Sequence, residues 1–249
     1  MNTDDKATGR GLASSRARLL MTGALLFLVA VFLALGTWQV QRLYWKLDLI
    51  ARVEARVGAP AVAAPPQSDW DAVNREKDEY RRVTATGTFA HDKTALVQAV
   101  TELGAGFWVL TPLRRDDGST VLVNRGFVPT DRRDAITRTP SETDVTTMVT
   151  GLLRISEPGG AFLRSNDPPS DRWFSRDVAA IAAAKGLHKV APYFIDADAT
   201  PNPGALPIGG LTIVRFRNSH LVYALTWFAL AAMSAAGAYF VYRQRIKAD

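Results

Sequence analysis

The chain has three histidines, and one of them sits where an ionisable group is costly. His220 follows Asn218 and Ser219, either of which can cap a helix. It opens a run from Leu221 to Tyr242 that contains no charged residue. An ionisable residue at the boundary of an apolar span is a functional candidate by default. A neutral imidazole is a good axial ligand for haem iron; the competing reading is a polar side chain that only anchors the helix start. His220, Ala224, Trp227, Ala231, Ser234 and Ala238 share one helical face at steps of three and four. Gly23, Ala30, Ala34 and Thr37 recur at matching intervals in an earlier apolar run. Small residues let two helices approach closely or leave a slot for a flat ligand. Arg42 and Arg217 fall near the same depth and could pair with carboxylates such as haem propionates.

Other chemistry finds little support. His91, after Phe89-Ala90, and His188, beside Gly186-Leu187, read as solvated loop residues. Asp116-Asp117 and Asp196-Ala197-Asp198 are explained by a turn and a loop better than by a metal site. No GxSxG turn, HExxH pair or Gly-rich phosphate loop occurs, so no enzyme is expected. The absence of cysteine excludes a disulfide framework, thiolate metal sites and a CxxC redox function. Four methionines, with Met21 and Met233 inside apolar runs, do not suit a copper carrier. The formal charge of +6 is largely due to arginines flanking the apolar runs, so nucleic acid is not an expected partner.

The elements that must position these residues follow from where charge is missing. Leu19 to Gln41 and Leu221 to Tyr242 are both charge-free, and each matches the ~20 apolar residues that cross a bilayer. The expected fold class is therefore an α+β membrane protein: N- and C-terminal transmembrane helices flanking a mainly antiparallel β domain with one or two short helices. The first run exceeds the roughly 7–15-residue core of a cleaved signal peptide. Asp4 and Asp5 in the tail argue against a mitochondrial presequence, which points to a bacterial inner membrane. Lys6, Arg10, Arg16 and Arg18 before the first span balance Arg42, Lys46, Arg52 and Arg56 after it, so charge alone does not orient it. Because a large domain translocates largely regardless of charge, both termini are expected in the cytoplasm and the central domain in the periplasm.

Along the chain, Trp38, Arg42, Trp45 and Leu49 continue one helical face beyond the first span. Trp38, Tyr44 and Trp45 suit the headgroup region, and Gly58 to Ser68, with three prolines, reads as a linker. Strands are expected over Tyr80–Phe89, Leu96–Val100, Phe107–Leu113, Val121–Val128, Val149–Ile155, Tyr193–Asp196 and Leu211–Phe216. Ser175 is placed to cap a short helix from Arg176 to Lys185 that Gly186 ends. The layout is then a tail at 1–18, a span at 19–41, an extension and linker at 42–68, the β-rich domain at 69–217, a span at 218–242 and a tail at 243–249.

Several of these segments form a pattern. Leu35-Gly36-Thr37-Trp38-Gln39-Val40-Gln41-Arg42 with Trp45-Lys46 resembles the entry motif of the surfeit locus protein one family. Tyr80-Arg81-Arg82-Val83 with Gly87, Gly106 to Leu113, Val123-Asn124-Arg125-Gly126-Phe127-Val128-Pro129 and Asn218-Ser219-His220-Leu221 with Tyr223-Ala224-Leu225-Thr226-Trp227-Phe228 agree in order. Phe127 departs from a frequent Trp but keeps an aromatic ring. The resemblance implies an assembly factor for haem–copper cytochrome c oxidase that binds haem a and assists its insertion into subunit I. It also implies two spans with both termini inside. His220 would be the haem iron ligand, supported by Trp38, Gln39, Arg42, Tyr223 and Trp227. Implied partners are subunit I, the haem a synthase and membrane lipid. The alternative is a scaffold that stabilises subunit I without haem.

Overall fold

The computed structural model describes residues 4–134, 145–161, 163–199, 206–212 and 216–246, with side chains from 16 to 244. The chain divides into two compact units, Met1–Ala51 with Arg215–Asp249, and Arg52–Val214.

The first unit is built where proline is absent. No proline precedes Pro60, and helix α1 runs unbroken over Asp4–Gly58, 55 residues. Gly58 and Pro60 supply its stop. The C-terminal helix, called α4 below, covers His220–Ile246. Its start is capped by Asn218, whose side-chain oxygen accepts from the His220 amide at 3.3 Å. Both helices are long and apolar enough to cross a membrane by length and composition.

On α4 the side turned inward carries Ala224, Ala231 and Ala238, all at most 4% exposed. On α1 the facing residues are Leu25, Val29, Phe32, Gly36 and Gln39, and not the expected small-residue face: Gly23, Ala30, Ala34 and Thr37 are exposed. The reason is complementarity. Alanines on one helix already make room, so the other fills it with larger side chains. Phe32 stacks on Trp227 with ring centroids 5.7 Å apart. Gly36 must be small, because a Cβ there would stand 2.6 Å from the Phe228 ring. The alanine stripe thus packs against α1.

The second unit is a barrel. Its strands are β1 (Val62–Ala63), β2 (Arg82–Phe89), β3 (Ala95–Thr101), β4 (Gly104–Arg114), β5 (Thr120–Pro129), β6 (Thr146–Ile155) and β7 (Val190–Ala197). Short helices α2 (Arg75–Asp78) and α3 (Val178–Ala184) interrupt them. The sheet order is β1-β2-β6-β7-β5-β4-β3, and a further pairing between β2 and β4 closes it, leaving β1 and β3 outside the ring. Strands β2, β4, β5, β7 and β6 thereby form a closed five-membered ring, a Greek-key barrel of the OB type. All pairings are antiparallel except β1–β2 and β5–β7.

Strand alternation sorts the apolar residues into two cores. Val121, Val123, Tyr193 and Ile195 join Val83, Leu113 and Leu153 in one cluster. The intervening Leu122 and Phe194 point to the other face, where Trp173, Val178 and Ile181 cover them. Helix α3 is therefore the lid of the outer face, and its cap is Asp177, which accepts from the Ala180 amide. Ser175 is used elsewhere: its hydroxyl accepts from the Gly160 amide and the Asn166 side chain.

The stretch read as a linker is part of this unit. Val62 and Ala63 pair in parallel with Val83 and Thr84. The Pro65 carbonyl accepts from Tyr193 Oη at 2.8 Å and from Trp70 and Arg115 at 3.3 Å. Leu211 and Thr212 are not in a strand; residues 213–215 of that expected strand lie outside the described residues.

Candidate functional site

His220 is half-buried at the first turn of α4. Its Nδ1 lies 2.7 Å from Gln39 Oε1 on α1. An amide oxygen only accepts, so Nδ1 is the nitrogen that carries the proton. In the neutral ring Nε2 is then the lone-pair nitrogen, the form in which imidazole ligates metals. A ligating histidine commonly has its second nitrogen held in this way by a carbonyl or carboxylate oxygen. The arrangement fits an imidazole ligand for haem iron on the chemistry of the donor.

The other expected residues divide. Trp227 lies about two helical turns beyond His220 on the same face, stacked on Phe32. Arg42 is exposed, with its guanidinium 5.7 Å from the Trp38 ring and 5.3 Å from the Trp45 ring, two contacts set by spacings of four and three along α1. Trp38 and Tyr223 are about half exposed, at 49% and 54%. Lys46 adds a cation 5.0 Å over Phe216. The structure brings Gln39 to His220 directly; among the described residues no hydrogen bond or ring contact joins Trp38, Arg42 or Tyr223 to the imidazole.

Residues 26–232 match the SURF1 family. The chain belongs to that family. It is 36% identical over 227 residues to Surfeit locus protein 1 of Rattus norvegicus, covering 85% of this chain and 72% of the rat protein. The human protein of the same name is 36% identical over 230 residues, covering 85% and 74%. A SURF1-like protein of Monosiga brevicollis is 37% identical over 227 residues, covering 86% and 84%.

The motifs of this SURF1-family chain that lie in the barrel have physical roles that the sequence does not display. At Asn124-Arg125-Gly126-Phe127, Val109 of β4 faces two residues of β5, Arg125 and Gly126, because Trp108 pairs Phe127 and Leu110 pairs Asn124. This is a β-bulge. Gly126 takes φ +135°, and a Cβ there would lie 2.2 Å from the Ile208 carbonyl. Phe127 exchanges two backbone hydrogen bonds with Ile208, at 2.8 and 2.9 Å. The bulge turns Arg125 onto Phe89, 5.1 Å from its centroid, with Nη1 3.2 Å from His91 Nδ1. His91 is thus half-buried against an arginine and not a solvated loop residue. Burial first, and Arg125 second, hold its pKa below the ordinary histidine value.

A buried ionic cluster is the other feature that sequence reasoning missed. Asp196, 2% exposed, accepts from Arg154 Nη1 at 2.8 Å, Asn124 Nδ2 at 2.8 Å, Thr212 Oγ1 at 3.0 Å and Arg176 Nη1 at 3.3 Å. Arg154 also donates to Glu79 at 2.7 Å and lies 4.8 Å over Tyr80. Arg176 donates twice to Glu157, at 2.6 and 3.0 Å. Burial alone would ease the Arg154 proton off, but Asp196 and Glu79 outweigh it and hold the proton more tightly than usual. Glu157 is similar: burial opposes its charge, yet Arg176 and Arg154 prevail and keep its pKa below the ordinary range. The Asp196 carboxylate is engaged by Arg154, Arg176, Asn124 and Thr212, while Asp198 pairs with Arg82 at 2.6 Å; among the described residues no group of three or more His, Asp or Glu gathers as a metal site. Asp116-Asp117 is a turn, with Asp117 accepting from the Ser119 amide at 2.9 Å. His188 is exposed.

Proposed function

We propose that this chain is a non-enzymatic, membrane-embedded assembly factor for haem–copper cytochrome c oxidase, binding haem a at His220 and assisting its insertion into subunit I. The observation that carries the proposal is the 2.7 Å contact from His220 Nδ1 to Gln39 Oε1 in a SURF1-family chain. Gln39 fixes the tautomer and the ring plane, so that Nε2 is the nitrogen available for ligation. When bound, haem a supplies the iron that this nitrogen ligates. Asn218 holds the helix start beneath the imidazole. Trp227 and Phe32 set the helix spacing below it, and Arg42, stacked between Trp38 and Trp45, offers a cation to a propionate. One histidine with a half-exposed ring suits a carrier, which must release what it binds.

In this reading α1 and α4 cross the bilayer of a bacterial inner membrane, with both termini cytoplasmic and the barrel periplasmic. Subunit I is the receiving partner and the haem a synthase the donor. The test is the absorption spectrum of the detergent-purified protein co-expressed with haem a synthesis, beside His220→Ala. Haem a carried by the parent and lost from the variant, with circular dichroism unchanged, supports a carrier. No haem in either supports a scaffold that stabilises subunit I by protein contacts alone, and equal haem in both places the ligand elsewhere.

A further inference from the structure

Strand β3 forms the outer edge of the sheet, and only part of that edge is used. The Gln98 amide donates outward to the Trp173 carbonyl at 2.8 Å, and Val97 bridges Trp173 in parallel register. Backbone groups of alternate residues point to the same edge. The N–H and C=O of Val100 therefore face outward as well, and among the described residues they meet no partner. The pairing stops because Asn166 Oδ1 takes the next two amides of the neighbouring segment, Phe174 at 2.8 Å and Ser175 at 3.1 Å. The segment is drawn away from β3, and a groove of about 610 Å³ opens between them.

The groove has the chemistry of a peptide site. Phe107 and Phe174 contribute aromatic walls. Arg164 lies 5.5 Å over Phe174 and is anchored at 3.2 Å on the Gln98 side chain, while Arg133 lies 5.1 Å over Phe107. No carboxylate is among the described lining residues. Val100, Leu103 and Leu163 beside it are 87%, 51% and 88% exposed. Edge strands are ordinarily blunted by charge, proline or a covering segment, and Gln98 to Thr101 carries neither charge nor proline. The groove is lined by β3, the start of β4 and the β6–β7 connection.

We propose that this edge docks an extended, acidic segment of a partner protein by β-strand addition. Val100 exchanges backbone hydrogen bonds with the segment, apolar side chains of the segment pack on Phe107 and Phe174, and one of its carboxylates pairs with Arg164. This inference rests on the barrel alone and is independent of haem.

The test uses the full chain in nanodiscs and a labelled, end-capped ten-residue peptide of alternating valine and threonine around one aspartate. Fluorescence anisotropy should detect saturable binding. Arg164→Glu should weaken it at least tenfold, and replacing the aspartate of the peptide by lysine should do the same. Val100→Pro, which removes the outward N–H at an edge position where proline is tolerated, should abolish it, with the fold checked by circular dichroism. Should that variant misfold, methylating the backbone nitrogens of the peptide tests the same hydrogen bonds. Absence of binding, or binding indifferent to Arg164→Glu and to N-methylation, overturns the proposal. So does sedimentation showing that the edge is instead occupied by a second copy of this chain.

Discussion

The two units treat polar groups in opposite ways. In the barrel, charge is buried and saturated: Asp196 has four side-chain donors, and each arginine that reaches it also binds a second carboxylate. In the helical unit a single imidazole is held by a single amide, and among the described residues no hydrogen bond reaches its second nitrogen. A saturated cluster has no capacity for a ligand and is worth most to stability. A half-satisfied histidine is worth little to stability and keeps its chemistry. Burial and saturation thus mark structure, while the half-exposed imidazole is where the proposed ligation is placed.

The sharpest way to break this contrast is Asp196→Ala. Removing one partner of a buried ionic cluster leaves uncompensated charge and costs about 3–5 kcal/mol. Chemical denaturation followed by circular dichroism should show a loss of that size. A loss under about 1 kcal/mol would mean that solvent reaches Arg154 and Arg176 and that the cluster is not the structural element described.

Tyr193 gives the next largest effect. Its side chain is fully buried with the hydroxyl on the Pro65 carbonyl, and burial pushes the phenol from 10.0 up to about 12. The proton is therefore held more tightly in the folded chain than in the unfolded one. The stabilisation is complete below pH 10 and is lost as pH rises through about 12. Two pKa units correspond to about 3 kcal/mol. Denaturation midpoints of the parent should fall across that window, and Tyr193→Phe should flatten the fall at a cost of about 1 kcal/mol for the lost hydrogen bond.

How far these features were legible depends on how local their cause is. The two apolar helices and most strands follow from charge-free runs and alternation, which neighbouring residues display. Pro60, Pro65 and Pro66 suggest a linker because proline breaks local patterns; the donors that make the Pro65 carbonyl an anchor include Arg115 and Tyr193, 50 and 128 residues away. Asp196 looked like a loop carboxylate because its partners come from β5, β6 and the chain before α3. The face of α1 was misread for a related reason: small residues are visible in a sequence, but which helix supplies the small side of a contact is decided by the partner. Gln39, by contrast, drew notice only through a family motif, and its pairing with His220 across 181 residues gives it a role.

A smaller effect belongs to Glu157. Its pKa is depressed by Arg176 and Arg154 against the opposing effect of burial, so the folded chain binds its proton less readily than the unfolded chain does. Its contribution is present above the ordinary glutamate range and is lost as pH falls through the lowered value. Glu157 is about a third exposed, at 35% for the side chain, and solvent screening limits the contribution to about 1 kcal/mol. Glu157→Gln should make the acid limb of the stability–pH curve shallower by that amount. An unchanged limb would locate the acid sensitivity in other carboxylates.

The smallest effect on stability should come from His220→Ala, and that is what gives the comparison its force. The Gln39 hydrogen bond is half exposed, so its net worth is about 0.5 kcal/mol, and water can take the place of the imidazole at the amide. Ala224, Ala231 and Ala238 keep the helix packing independent of it. Thermal unfolding should therefore be almost unchanged, while haem a binding should vanish. Gln39→Ala separates the two roles of the contact. The histidine remains, but its ring is free to rotate and to exchange tautomers, so affinity should fall roughly 10–100-fold, the cost typical of losing an outer-shell partner. Nitrogen-15 NMR of the haem-free protein should show Nδ1 protonated in the parent and a tautomer mixture in Gln39→Ala. A mixture already present in the parent would mean that Gln39 does not fix the tautomer and would remove its positioning role.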